Sequence, residues 1–221
     1  MIDTFIELDA RTRSLRRSKG PTVADTLTFE ASQKSTVHAI LGSGASRRAG
    51  AAFLGRSLSD KESIDTFLAA ERQEVENFIR LYQVPHFDLE VMINHRWNAL
   101  DMLAHMVAWH ESFALNLGLL ARGDPPQPPR GTLREVNRQG VLDRRGQSVD
   151  QLIRRFRKAQ KAIEANVYNE AITLIPYRKP GTSYGRAQHL DVVRGHIRYH
   201  FWEVIDVYMK TKSGAGTDPV A

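Results

Sequence analysis

Four stretches of the chain carry apolar residues at helical spacing. The first stretch places them three, four or seven positions apart, on one face of an α-helix: Ile64, Leu68, Val75, Phe78 and Tyr82. Ser59 and Glu62 stand at its start with the spacing of a capping box, in which the serine accepts from a first-turn amide and the glutamate reaches back. This pattern predicts a helix from residue 59 to about residue 83.

Three further helices follow from the same reasoning. Residues 98–121 are apolar on most sides, which is typical of a helix with neighbours on more than one flank. Residues 149–167 follow a Ser148 cap and place their apolar residues on a single stripe. Residues 190–209 contain no proline and form the last predicted helix. A shorter segment, residues 132–140, predicts only a helical turn or two.

Proline and glycine separate these segments. Pro85 stops the first helix, and Gly123 with the proline-rich run after it ends the second. Residues 169–188 hold two prolines and two glycines, and their length is typical of a functional loop rather than a plain connection. Four amphipathic helices without a convincing strand pattern predict an all-α four-helix bundle over residues 57–212.

The two ends of the chain differ from this central part. Residues 1–56 hold nine Lys or Arg against five Asp or Glu, within a chain of 221 residues and net charge +6. They are rich in Ser, Thr, Gly and Ala, and their apolar density is too low to offset the entropy of ordering. We therefore expect a disordered or loosely packed basic extension there, and a disordered tail at residues 213–221.

Composition excludes several classes of protein. Cysteine is absent, so disulfides, thiolate metal sites and cysteine nucleophiles are excluded. No run of 18 apolar residues exists, so no membrane span is expected. The N-terminus carries acidic residues and lacks the apolar segment of a secretory signal. These features predict a cytoplasmic protein, since a chain without cysteine fits a reducing compartment.

Two histidines of the last predicted helix lie on one face. His196 and His200 are four residues apart, so their rings leave the helix one turn apart on the same side. Glu203 follows on that face, as a candidate general base or ligand or as an ordinary surface carboxylate. A pair at this spacing often gives two ligands to one divalent metal, although it is also common on exposed polar surfaces.

A third imidazole comes from the second predicted helix. His105 lies in an apolar run, where a lone histidine is usually a core residue with its own hydrogen-bond partner. Three imidazoles with one open position would instead form a catalytic metal site. Asp101, one turn earlier, is a candidate to orient the His105 ring. We therefore expect His105, His196 and His200 to bind one divalent ion, zinc, nickel or iron.

Two motifs resemble the DinB-like superfamily of four-helix bundles, most closely its ClbS/DfsB branch. One is the run Trp97-x-x-x-Asp101-Met-Leu-Ala-His105-Met-Val-Ala-Trp109-His110 with its Gly-Asp-Pro-Pro connector, and the other is Tyr199-His200-Phe201-Trp202. The resemblance covers residues 60–210. It implies a cytoplasmic bundle with a pocket between helices, and a metal on one histidine of the second helix and a His-x-x-x-His pair of the last. His105, His196 and His200 match those positions.

The resemblance also implies a chemistry. Related members act as thiol-dependent transferases or isomerases, and the ClbS/DfsB branch includes a protector against a genotoxic cyclopropane-bearing metabolite that is thought to be hydrolysed. That branch often lacks the first histidine of the last-helix pair, which this chain has as His196. The resemblance therefore favours a metal-dependent hydrolase or thiol transferase acting on a small reactive electrophile in detoxification or self-protection. Trp109, Trp202 and Tyr184 are candidates for the pocket lining or for the core.

The alternative function is a bundle without turnover. It would sequester a small toxic ligand or contact DNA through basic faces. The third predicted helix carries such a face, which is otherwise a plain solvated surface: Arg154, Arg155, Arg157, Lys158 and Lys161. The predicted partners are a small-molecule substrate and a second copy of the chain; nucleic acid is a minor alternative and a membrane is not expected.

Overall fold

The computed structural model describes residues 59–177 and 182–214, and these residues form an all-α bundle. The predictions for residues 1–56 and for the tail beyond residue 214 lie outside this part of the chain. The helices are α1 (Asp60–Leu81), α2 (Ala99–Ala121), α3 (Leu133–Leu142), α4 (Val149–Asn166) and α5 (Arg186–Gly214). A two-stranded hairpin, β1 (Ile175–Pro176) and β2 (Ser183–Tyr184), precedes α5.

Side-chain caps fix where the helices begin. Ser59 and Glu62 form the predicted capping box of α1, and Ser148 caps α4 in the same way. Thr132 and Glu135 form a third box. That box satisfies the first amides of α3 and allows ten residues to remain helical. The sequence predicted only a turn or two here, and the described residues therefore contain five helices instead of four.

The last helix extends beyond the range that its apolar pattern predicts. The prediction covered residues 190–209, whereas α5 begins at Arg186 and continues to Gly214. Residues 213 and 214, predicted as tail, are thus helical. No proline or glycine interrupts the chain between Gly195 and Gly214, and an ion pair of Asp206 with Lys210 (2.6 Å) supports the last turns.

The hairpin falls in the segment predicted as a loop. Its strands are antiparallel, with Ile175 opposite Tyr184 and Pro176 opposite Ser183. Strands of two residues are too short to show the alternation that marks a strand in a sequence, so the pattern could not reveal them. Ile175 is fully buried, and the hairpin thereby fixes residues 175–177 against α2.

The bundle is built from two closely packed helix pairs. α1 packs along α5, α2 packs along α4, and α3 lies on α2. The core contains large side chains with almost no exposed surface: Phe78, Met102, Leu103, Leu117, Phe156 and Ile163. α2 and α5 approach each other much less closely along their backbones, so the space between them is filled by side chains. Among residues 59–177 and 182–214, no helix is long and apolar enough to cross a membrane.

Candidate metal centre

Three histidines meet between α2 and α5. His105 of α2 is buried, and His196 and His200 of α5 are half-buried. The Nε2 atom of His196 lies 3.3 Å from Nε2 of His105 and 3.0 Å from Nε2 of His200. One ring nitrogen from each of the three residues lies within 4.8 Å of the others. The structure therefore brings together the three residues that the sequence predicted as ligands.

Helix geometry and aromatic packing set the positions of the rings. The four-residue step on α5 places His196 and His200 one turn apart with ring centroids 4.8 Å apart. The indole of Trp97 lies against His105, with ring centroids 4.7 Å apart, and Trp109 lies edge-on to His196. Because these large rings limit rotation of the imidazoles, the cluster is held by packing on both flanks.

Glu203 holds the outer nitrogen of His200. Its carboxylate oxygen accepts a hydrogen bond from Nδ1 of His200 at 2.6 Å. A proton on Nδ1 leaves the Nε2 lone pair of His200 directed at the cluster, which is the form that binds a metal. The sequence proposed Glu203 as a ligand or base. The structure places it behind the His200 ring, as the partner of a candidate ligand.

The expected partner of His105 is not found. Among the described residues, Nδ1 of His105 is buried without a hydrogen-bond partner, so the prediction that Asp101 orients this ring is wrong. In the first turn of α2, the backbone amide of Asp101 instead donates a hydrogen bond to Oδ1 of the Asn98 cap. Contact with Trp97, and not a hydrogen bond to a carboxylate, fixes the plane of the His105 ring.

Burial keeps His105 and His196 uncharged. It lowers the pKa of His105 well below its usual range, and the neighbouring rings of His200 and His196 lower it further. Burial is also the first cause that lowers the pKa of His196, followed by His200. At neutral pH these rings are therefore in the uncharged form, which is required of a metal ligand.

The donor set fits one divalent ion. Without an ion, the three Nε2 atoms would have to share a single proton on His196 between two facing lone pairs, because His200 donates through Nδ1. A tetrahedral ion with Zn–N bonds of about 2.0–2.1 Å holds two nitrogen ligands about 3.3–3.4 Å apart. Two of the three pairwise separations, 3.3 Å and 3.0 Å, lie close to this value, and the third lies within 4.8 Å.

A second buried polar cluster lies beside this centre. Glu71 of α1, His110 of α2 and Gln160 of α4 are all buried. His110 Nε2 lies 2.7 Å from the Gln160 amide oxygen, and Gln160 donates to Glu71 at 2.7 Å. Burial raises the pKa of Glu71 to about 8 and lowers the pKa of His110 to about 4. Both groups are therefore mainly uncharged at neutral pH.

Sequence reasoning missed Glu71 and Gln160, although the apolar pattern held a signal. Glu71 lies three residues after Leu68 and four before Val75, in phase with the buried stripe of α1. Gln160 similarly lies four residues after Phe156 on the buried side of α4. Polar residues at apolar positions indicate an internal hydrogen-bond network, since an unpaired buried polar group is costly.

The aromatic residues predicted for the pocket, and the basic face of α4, lie in different environments. Trp109 is buried beside His196, whereas Trp202 is 46% exposed and lies outside the core. Tyr184 packs edge-on against Tyr177 of the hairpin segment. On the basic face of α4, two of the five cations are engaged in ion pairs, Arg155 with Glu111 and Arg157 with Glu76. The charge available to an acidic partner is reduced accordingly.

Comparisons with known proteins identify no relative of this chain. Searches against protein-family models, curated proteins and solved structures gave no match to the chain. What the chain does is therefore inferred from the arrangement of its own side chains and from the motifs of residues 97–110 and 199–202.

Proposed function

We propose that the protein is a metal-dependent enzyme that hydrolyses a small reactive electrophile or transfers a thiol to it. The observation that carries the proposal is the convergence of three imidazole nitrogens, with Nε2 separations of 3.3 Å and 3.0 Å about His196. His105, His196 and His200 would hold one divalent ion, zinc, nickel or iron. The DinB-like motifs support the same ligand set.

The protein's own residues prepare this centre. Glu203 holds His200 in the tautomer whose Nε2 lone pair faces the cluster. Trp97 and Trp109 pack against the rings of His105 and His196 and limit their rotation. When bound, a divalent ion would act as a Lewis acid that polarises the substrate or lowers the pKa of a coordinated water. Glu203 would thus be a positioning residue, a role that carboxylate partners of metal-binding histidines commonly have.

Composition and burial limit which thiol and which substrate the proposed reactions can use. The chain has no cysteine, so a thiol used in transfer must be a separate small molecule. The substrate would be small, because the centre lies between two helices and His105 is buried. Function in the cytoplasm, where thiol cosubstrates are abundant, is part of this proposal.

Two electrophiles test the proposal. We expect zinc-, nickel- or iron-loaded protein to turn over 4-nitrophenyl acetate, or 1-chloro-2,4-dinitrobenzene with glutathione, and chelation to abolish the activity. His200→Ala should lose the activity, whereas His95→Ala, which removes an exposed histidine outside the cluster, should retain it. Protein that binds the ion and turns over neither compound would contradict catalysis and favour sequestration of a ligand.

A further inference from the structure

The exposed side of α4 contains an open groove that shares no residue with the candidate metal centre. The groove has a volume of about 500 Å³, and small-molecule sites typically have volumes of about 300–1,000 Å³. Its wall comes from α4 and the turn before it: Gln147, Gln151, Arg154, Arg155 and Lys158. Each of these side chains is an amide or a cation, and no carboxylate or aromatic ring is among them. The composition of the wall therefore favours an anion.

The two glutamines of the wall have their oxygens engaged inside the protein. Oε1 of Gln147 accepts from Nη1 of Arg155 at 3.1 Å, and Oε1 of Gln151 accepts from the backbone amide of Ser148 at 2.8 Å. Among the described residues, the Nε2 atom of neither glutamine has a hydrogen-bond partner. A carboxamide nitrogen carries two protons and donates only. The polar groups that the glutamines have left for an occupant are therefore donors.

Arg155 is held in place by a carboxylate of α2. Its Nε and Nη2 donate to the two carboxylate oxygens of Glu111, each at 2.7 Å. Glu111 also pairs with Arg144, so this one carboxylate neutralises at most one of the two guanidinium groups. Arg155 in turn orients Gln147 through Nη1. This network fixes one side of the groove and leaves it with a surplus of positive charge.

Arg154 and Lys158 add cations without a partner in the part of the chain that the structure describes. Both side chains are exposed, and they lie one turn apart on the same face of α4. Like charges at this spacing repel each other and destabilise a helix. Asp150, one turn before Arg154, does not line the groove and forms no ion pair with it. An anion bound between Arg154 and Lys158 would remove this repulsion.

Charge and donors together indicate the class of anion. A phosphate monoester carries a charge of about −1.5 to −2 at neutral pH and three strong acceptor oxygens, which matches two free cations and two amide donors. A single-stranded nucleic acid would need aromatic rings for base stacking, and none lines the groove. A second copy of the chain is disfavoured because the chain has a net charge of +6, and residues 1–56 are basic as well.

We propose that this groove binds the phosphate monoester group of a small molecule. Arg154 and Lys158 would supply the charge, and the amide groups of the two glutamines would donate to the remaining phosphoryl oxygens. The groove contains none of the candidate metal ligands, so the proposal does not rest on the proposed function. The protein would then recognise a second class of ligand, phosphorylated small molecules, on α4.

Titration of the full-length, metal-free protein with methyl phosphate tests the site. In ¹H–¹⁵N NMR spectra, the side-chain amide signals of Gln147 and Gln151 should shift and saturate. Dimethyl phosphate has a single charge and two terminal oxygens, and should bind at least about fivefold more weakly. Equal affinity for the two compounds, or no saturable shift of the two glutamine amides, would overturn the proposal. Because no metal is present, the result does not depend on the candidate metal centre.

Charge-removing variants locate the binding. Arg154→Gln and Lys158→Gln should each weaken methyl phosphate binding about fivefold, the loss expected for one charged contact at an exposed site. Lys161→Gln is the matched control, because it removes an exposed cation of the same helix that does not line the groove. Equal weakening by all three variants would show diffuse attraction to a basic surface and refute the site. Binding of a short oligothymidylate without binding of methyl phosphate would assign this face to nucleic acid instead and also refute it.

Discussion

Replacement of Glu71 by glutamine should stabilise the protein increasingly as pH rises. Glu71 has no exposed surface, and its contacts are an amide of Gln160 and the uncharged ring of His110. Burial raises the pKa of the Glu71 carboxyl from 4.5 to about 8. The folded state thus holds this proton more tightly than the unfolded chain. The contribution of this bound proton to the free energy of unfolding is complete below pH 4.5 and is lost as the pH rises toward 8.

The size of the effect follows from the shift. Each pKa unit corresponds to about 1.4 kcal/mol, so at pH 7 the folded state is disfavoured by about 3 kcal/mol relative to acid conditions. At pH 5 the corresponding figure is about 1 kcal/mol. Glu71→Gln retains an oxygen that can accept from Gln160 but cannot ionise. Relative to the wild type, its free energy of unfolding should therefore increase by about 2–3 kcal/mol between pH 5 and pH 7.

Urea unfolding followed by circular dichroism at these two pH values measures this difference. Glu76→Gln is the matched control, because it removes a carboxylate of the same helix that is partly exposed and paired with Arg157. A constant offset between Glu71→Gln and wild type at both pH values would show that Glu71 is ionised in the folded protein. The account of an uncharged Glu71–His110–Gln160 cluster would then be wrong.

Three other substitutions test the packing and the centre. Gly140→Ala should destabilise the protein by about 1–3 kcal/mol, because the new Cβ would lie 2.8 Å from Cβ of Ala108. Gly118→Ala meets only ordinary contact distances and should stabilise α2 by about 0.5–1 kcal/mol; thermal unfolding of both variants checks the contrast. Glu203→Gln should weaken zinc binding about 10-fold to 100-fold without loss of helicity, as titration with a competing chelator would show, because a neutral amide replaces the carboxylate whose charge strengthens the hydrogen bond from His200. Equal affinity would remove Glu203 from the site.

The sequence predicted the helices well because their signals are local. Periodic apolar residues and caps such as Ser59 and Ser148 act within a few residues, and α1, α2 and α4 agree with the predicted bounds to within two residues. The full length of α3, predicted only as a turn or two, and the hairpin were not foreseen for a related reason. Leu133–Leu142 has only Val141 fully buried, so little apolar pattern marks it, and two-residue strands show no alternation.

The site was predicted only where spacing determines it. The four-residue step brings His196 and His200 together whatever the rest of the fold, and His105 stood out as a polar residue in an apolar run. The partners of these residues depend on distances between helices, which spacing does not give. The role assigned to Asp101 was therefore wrong, and the hydrogen bond of Glu203 to His200 was not foreseen. The contact of Glu71 with Gln160 joins residues 89 positions apart, and only the phase of each residue in its helix indicated it.

The metal content of the protein tests the central claim most directly. Wild type, His200→Ala and the exposed-site control His95→Ala would be incubated with zinc, nickel or iron(II), dialysed and submitted to elemental analysis, with helicity followed by circular dichroism. We expect about one ion per chain in wild type and His95→Ala, and strongly reduced content in His200→Ala with unchanged helicity, because two imidazoles remain where three converge. Equal, substoichiometric content in wild type and His200→Ala would contradict the metal centre.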